Sequence, residues 1–130
     1  MNDCIFCKII NGELPSSTFY EDDKIKIIMN INPNTNGHLL VLPKKHQVNI
    51  LDIDVDIISY SFTKLKELYP ILKEKLNCEG LTICENNELG QDIPHFHLHL
   101  IPRYKDDGLK LVSNEDKLLG IEEIFNKINN

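Results

Sequence analysis

The chain has 130 residues, with 14 Lys and Arg against 20 Asp and Glu, so its net charge is −6 when histidine is neutral. That balance argues against non-specific nucleic-acid binding, which needs basic side chains to neutralise phosphates. The first thirty residues hold no apolar run of signal-peptide or membrane-span length, so neither a nucleic-acid nor a membrane partner is expected, and a cytoplasmic setting with reduced cysteines is.

Residues 3–10 read as a short helix with Asp3 as N-cap and Gly12 just past its end. Residues 18–20 and 24–29 read as two strands around the Asp22-Asp23 turn. The Asn-rich stretch NINPNTNG, with Pro33 and Gly37, is a loop, and HLLVLP after it is a central strand. Over residues 54–76, Ile58, Phe62, Leu65, Leu68, Leu72 and Leu76 recur at steps of three and four, which predicts an amphipathic helix facing a core. Pro70 falls inside that helix as a kink or break, and residues 77–80 close it. Residues 81–84 are a short strand, 85–94 a polar loop and 95–101 another strand. Leu118, Ile121, Ile124, Phe125 and Ile128 mark a last helix. Strands joined without helices, then a helix, then strands, predict an α+β fold: an antiparallel sheet of about five strands, one long helix and short helices at both ends.

Three of the five histidines fall on alternate positions of HFHLHL, the predicted strand at 95–101. Side chains alternate between the faces of a strand, so His95, His97 and His99 are expected on one face and Phe96, Leu98 and Leu100 on the other, against the core. A row of imidazoles suits metal binding. It suits nucleophilic catalysis equally, because a neutral imidazole can attack phosphorus and leave later. Cys4-x-x-Cys7 has the spacing of half a zinc site; a redox pair and two merely buried thiols are the alternatives.

HFHLHL is similar to the His-x-His-x-His-x-x signature of the histidine triad family. NINPNTNGHLLVLPKKH resembles that family's Gly-His, apolar strand and Pro-Lys-x-His landmark, CIFCKIINGELPSSTFYEDD its N-terminal segment, and Gly90-Gln91 the pair ahead of the triad. The resemblance covers residues 4–104, with a C-terminal helical extension over 105–130, and leans to the bacterial branch. It implies one domain over 1–130 that hydrolyses or transfers nucleotides at the α-phosphate. It assigns His97 as nucleophile through a nucleotidyl-histidine intermediate, His99 to the phosphate oxygens, and His38 as the third member of the catalytic group. Gln91 would bind the phosphate or bridging oxygen, Asn30 the ribose, and Phe6, Ile9 and Ile31 the base, with a purine expected; Asn86 is a further nucleotide-binding candidate with no subsite assigned. The family's Cys-x-x-Cys branch implies a structural zinc held by Cys4, Cys7, His46 and His95, and the family implies a homodimer.

Asp92 departs from the pattern, since the best-known members place Ser or Thr there to donate to the leaving group. An ionised Asp only accepts hydrogen bonds and repels phosphate. It either points away, acts as a protonated acid, or binds a cationic leaving group. Phosphoramidates, dinucleoside polyphosphates and similar conjugates all offer the required phosphorus. Two other readings stand beside the enzyme: a nucleotide-binding interaction module with little turnover, and a metal-dependent hydrolase using the histidine cluster as ligands.

Overall fold

The computed structural model of the chain describes residues 3–129. Its elements in chain order are α1 (Ile5–Ile10), β1 (Thr18–Glu21), β2 (Ile25–Met29), β3 (Leu39–Pro43), α2 (Val55–Leu76), β4 (Gly80–Cys84), β5 (Leu98–Arg103), a 3-10 turn (Glu115–Lys117) and α3 (Ile121–Asn129). The strands form one sheet in the order β1-β2-β3-β5-β4, every neighbouring pair antiparallel. The α+β fold expected from the sequence is the one observed.

Period-two alternation gives this sheet two apolar faces. Ile25, Ile27, Leu39, Val41, Leu98 and Leu100 pack with Ile53, Phe96 and with Leu65 and Leu72 of α2. Ile28, Leu40 and Leu42 point the other way and pack with Cys4, Phe6 and Ile9 of the N-terminal segment. Each buried aliphatic side chain contributes about 1.5–3 kcal/mol, so both helices are held by burial rather than by intrinsic propensity.

Three local details differ from the sequence expectation. Cys4, not Asp3, is the N-cap of α1; its extended backbone lets Sγ accept from the Cys7 N–H at 3.3 Å, and Asp3 stands exposed one residue earlier. Pro70 sits inside an unbroken α2. The strand expected at 95–101 begins only at Leu98, because β3 pairs with β5 through Leu39, Leu40 and Val41 alone. Beyond that register the Pro43 carbonyl accepts from the His95 ring at 2.8 Å, and the Phe96 N–H turns to the Gln47 carbonyl at 2.7 Å.

Side chains close the turns. Asp22 accepts from the hydroxyls of Tyr20 and Tyr60 and from the N–H groups of Lys24 and Ile25, pinning the β1–β2 turn to α2. Burial alone would raise its carboxyl, but those four donors outweigh it and hold the group well below the usual carboxylate range. α2 ends on Asn77 in the left-handed region, φ 55°. Arg103 pairs with Asp107 at 2.7 Å and fixes the exit from β5. Past that point the chain touches little of the body: α3 buries no residue, and Ile121 is 89% exposed with Phe125 and Ile128 also uncovered. Leu118 precedes α3 rather than joining its stripe. Among the described residues no helix is long and apolar enough to cross a membrane.

Candidate active site

A cavity of about 520 Å³ opens on the sheet face that carries α1. Ile5, Phe6 and Ile9 of α1, Ile28, Leu40 and Ile93 make its apolar wall. His38, His97 and His99 line its other side, together with Met29, Asn30, Ile31, Asn32, Asn34 and Asp92. Leu14 to Ser17 complete the lining; nothing in their composition marked them beforehand.

The protonation of the three histidines follows from their partners, since an N–H can only donate and a carbonyl only accept. The Asn34 N–H donates to His38 Nδ1 at 3.0 Å, so the His38 proton sits on Nε2. That Nε2–H faces His99 Nδ1 at 3.0 Å and donates to it. His99 therefore carries its proton on Nε2. His97 Nδ1 lies 2.7 Å from the His95 carbonyl and donates to it, which leaves the Nε2 lone pair of His97 free. The ring is only 6% exposed and lines the cavity, so this lone pair is held in place and largely dry. Burial lowers His38, and burial together with His97 and His38 lowers His99 to about 4 against the opposing pull of Asp92. Both rings are neutral at neutral pH.

The alternation expected from HFHLHL survives where it matters. His97 and His99 sit together, ring centroids 5.0 Å apart, while Phe96, Leu98 and Leu100 enter the core on the α2 side. His95 leaves the row. Phe6 packs nearly perpendicular to both His95 and His97, with ring centroids 5.8 and 5.0 Å away.

His95 joins a second cluster instead. The ligand atoms of Cys4, Cys7, His46 and His95 all lie within 4.8 Å of one another. His95 Nδ1 is 3.4 Å from Cys4 Sγ, 3.6 Å from Cys7 Sγ and 3.1 Å from His46 Nδ1, and Cys7 Sγ is 3.2 Å from His46 Nδ1. A tetrahedron with ordinary Zn–N and Zn–S lengths has edges of about 3.3–3.8 Å, so two soft sulfurs and two imidazoles at these spacings fit zinc. The Pro43 carbonyl fixes the proton of His95 on Nε2 and turns Nδ1 inward, as a supporting shell for a ligand does. Burial and the adjacent Cys4 push the Cys7 thiol up to about 11, a cost that a dication at this point would offset.

Of the other residues singled out from the sequence, Phe6, Ile9, Asn30, Ile31 and Asp92 line the cavity, while Gln91 and Asn86 do not. The Gln91 carboxamide is spent within the loops, donating to the Val48 carbonyl at 2.6 Å and the Ile93 carbonyl at 3.2 Å. The Asn34 N–H and the His95 and Pro43 carbonyls, which orient the rings of His38, His97 and His95, are backbone groups that sequence reasoning missed, since a backbone atom leaves no signal in residue identity.

A five-stranded antiparallel sheet with buried histidines lining a largely apolar cavity, beside a separate Cys₂His₂ cluster, defines a small α+β protein with a histidine-lined pocket. The HIT domain model matches residues 11–106, and this chain belongs to the HIT family. It is 39% identical over 127 residues to an uncharacterized HIT-like protein of Methanocaldococcus jannaschii, covering 96% of this chain and 98% of that one. It is 37% identical over 114 residues to an adenosine 5′-monophosphoramidase of Candida albicans, covering 83% and 74%. Among solved structures it resembles a HIT family protein of Bacillus anthracis, with TM-score 0.83, 35% identity and coverage of 98% and 94%. It also resembles a zinc-bound histidine triad family protein of Mycobacterium smegmatis, with TM-score 0.79, 31% identity and coverage of 89% and 86%.

Proposed function

We propose that this protein is a nucleotide hydrolase or nucleotidyl transferase acting at the α-phosphate of a nucleotide conjugate through a covalent intermediate on His97. The observation that carries this reading is the Nδ1–H of His97 donating to the His95 carbonyl, which leaves a buried Nε2 lone pair facing the cavity. That lone pair attacks the α-phosphorus and the bond to the leaving group breaks. The imidazole gains positive charge as it does so, and the carbonyl stabilises it through the same hydrogen bond. The Nε2–H of His99, held by His38, donates to a phosphoryl oxygen where charge develops. Water then cleaves the nucleotidyl-histidine bond and releases a nucleoside monophosphate. The apolar wall of Phe6, Ile9 and Ile31 takes the base, with Asn30 toward the ribose.

The named activity of the Candida albicans relative supports a nucleotide conjugate as substrate. The test is hydrolysis of adenosine 5′-phosphoramidate by wild type and by His97→Ala, with mass spectrometry of the acid-quenched wild-type reaction. Wild type should turn over and carry a nucleotidyl adduct on His97; the variant should lose at least about a thousandfold in rate. Binding without turnover in both proteins would favour an interaction module instead.

The proposal includes a structural zinc on Cys4, Cys7, His46 and His95, supported by the fit of the donor set and by the zinc-bound relative. Four protein ligands would leave no open position for substrate, so the ion would tie α1 to the sheet and supply no catalytic step. It also includes a homodimer. β4 is an edge strand, and Phe62 and Ile71 of α2 remain partly exposed, features that association would cover.

A further inference from the structure

We infer that Phe6 couples the two clusters, so that an ion on Cys4, Cys7, His46 and His95 tightens the hold of the cavity on a nucleotide, and a bound nucleotide tightens the hold on the ion. The inference rests on the readings that those four residues bind zinc and that the cavity binds a nucleotide. One short helix serves both places. Cys4 is the N-cap of α1 and Cys7 lies in its first turn, and their sulfurs meet His95 and His46. Ile5, Phe6 and Ile9 of the same helix line the cavity. α1 has six residues and buries just Phe6 and Ile9. A helix of that length does not hold its shape alone, so its position depends on what fastens it.

Phe6 is 5% exposed, and its ring packs on a ring of each cluster, His95 and His97. Close-packed side chains have little room to move independently, so a shift of α1 or of the His95 ring passes through Phe6 to the cavity wall. Without an ion, the contacts of the two sulfurs with the imidazoles are weak hydrogen bonds. An ion would replace them with four bonds of set length and direction. The wall that meets the base would then be ordered before the nucleotide arrives, and binding would cost less. By linkage, the same factor applies in the other direction. The coupling acts on affinity rather than on the chemical step. The backbone at His95, whose carbonyl accepts from His97, is fastened separately, by the Phe96 N–H on the Gln47 carbonyl and the His95 ring on the Pro43 carbonyl. Loss of the ion should therefore raise KM and leave the rate at saturating substrate near its loaded value.

The test takes the zinc-loaded full chain and measures the equilibrium transfer of zinc to a chromophoric chelator, with and without saturating AMP, against a blank of free zinc, chelator and AMP. AMP should tighten zinc retention by about tenfold. Calorimetric titration of AMP into loaded and metal-stripped protein should return the same factor as a difference in AMP affinity. The retention measurement uses loaded protein alone, so it decides the matter even where stripped protein unfolds. Phe6→Leu keeps an apolar side chain on α1 and loses the ring that meets both histidines. It should still hold about one zinc per chain and bind AMP, with the coupling reduced to within about twofold. Phe6→Met takes its place should Phe6→Leu not fold. AMP that binds wild type yet changes zinc retention by less than about twofold overturns the coupling alone. An unchanged factor in the Phe6 variant overturns the role of Phe6. A chain that takes up no zinc overturns the inference together with the zinc reading, and a loaded chain that does not bind AMP overturns it together with the nucleotide reading.

Discussion

The Nε2 atom of His38 lies 3.0 Å from Nδ1 of His99, and the Asn34 N–H occupies the far nitrogen of His38. One loop amide thereby decides which nitrogen of a ring on another strand carries a proton. His38→Ala removes the donor to a buried acceptor, a loss of about 1–3 kcal/mol. Turnover of a phosphoramidate should fall by about five- to a hundredfold, mainly in kcat, with KM changed little.

The same pair makes stability depend on pH. His38 and His99 are held below the ordinary imidazole value of 6.5, His99 at about 4. Between those values the unfolded chain takes up protons that the folded chain refuses. Stability is therefore full above about pH 6.5 and declines as pH falls toward 4. Thermal melts across that range should show a flatter profile for His99→Asn than for wild type. Acid stripping of any bound metal affects both proteins alike, so the difference in slope reports His99; equal slopes would contradict the shift.

Metal analysis of the purified protein should give about one zinc per chain, the content of one four-ligand site. Cys7→Ser should lose it and melt lower by about 10 °C, corresponding to about 3 kcal/mol in a domain of this size. Chelator added to active protein should lower the melting temperature before it lowers the rate, because an ion held by these four residues would anchor α1 and take no part in the chemistry. An immediate loss of rate at unchanged stability would identify a catalytic metal.

Gly37 precedes His38 with φ +91°, and a Cβ there would lie 2.5 Å from Leu76 Cδ1. Gly37→Ala combines left-handed backbone strain with a displaced Leu76 side chain. Urea denaturation should show a loss of about 1–3 kcal/mol. Activity should fall as well, since the same turn sets the His38 ring.

The sheet, the long helix and their antiparallel arrangement were legible in the chain because alternation and three-four spacing follow directly from strand and helix geometry. HLLVLP became the fully buried β3, and the stripe Leu65, Leu72 and Leu76 became the inner face of α2. Cys4 and Cys7 were legible as half a metal site through their spacing, the family resemblance added His46 and His95, and the four converge. The C-terminal stripe predicted a helix correctly, yet nothing in its periodicity said that its apolar side would be left uncovered by this chain.

Residue identity alone determined which side chains able to do this chemistry are present and, through local periodicity, the faces of the strands on which they lie. Only the tertiary structure decided which nitrogen of each imidazole is free. That choice depends on the Asn34 amide and the His95 and Pro43 carbonyls. Every residue carries such backbone groups, so sequence does not distinguish them until folding brings one within 3 Å of a ring and buries the pair from competing water.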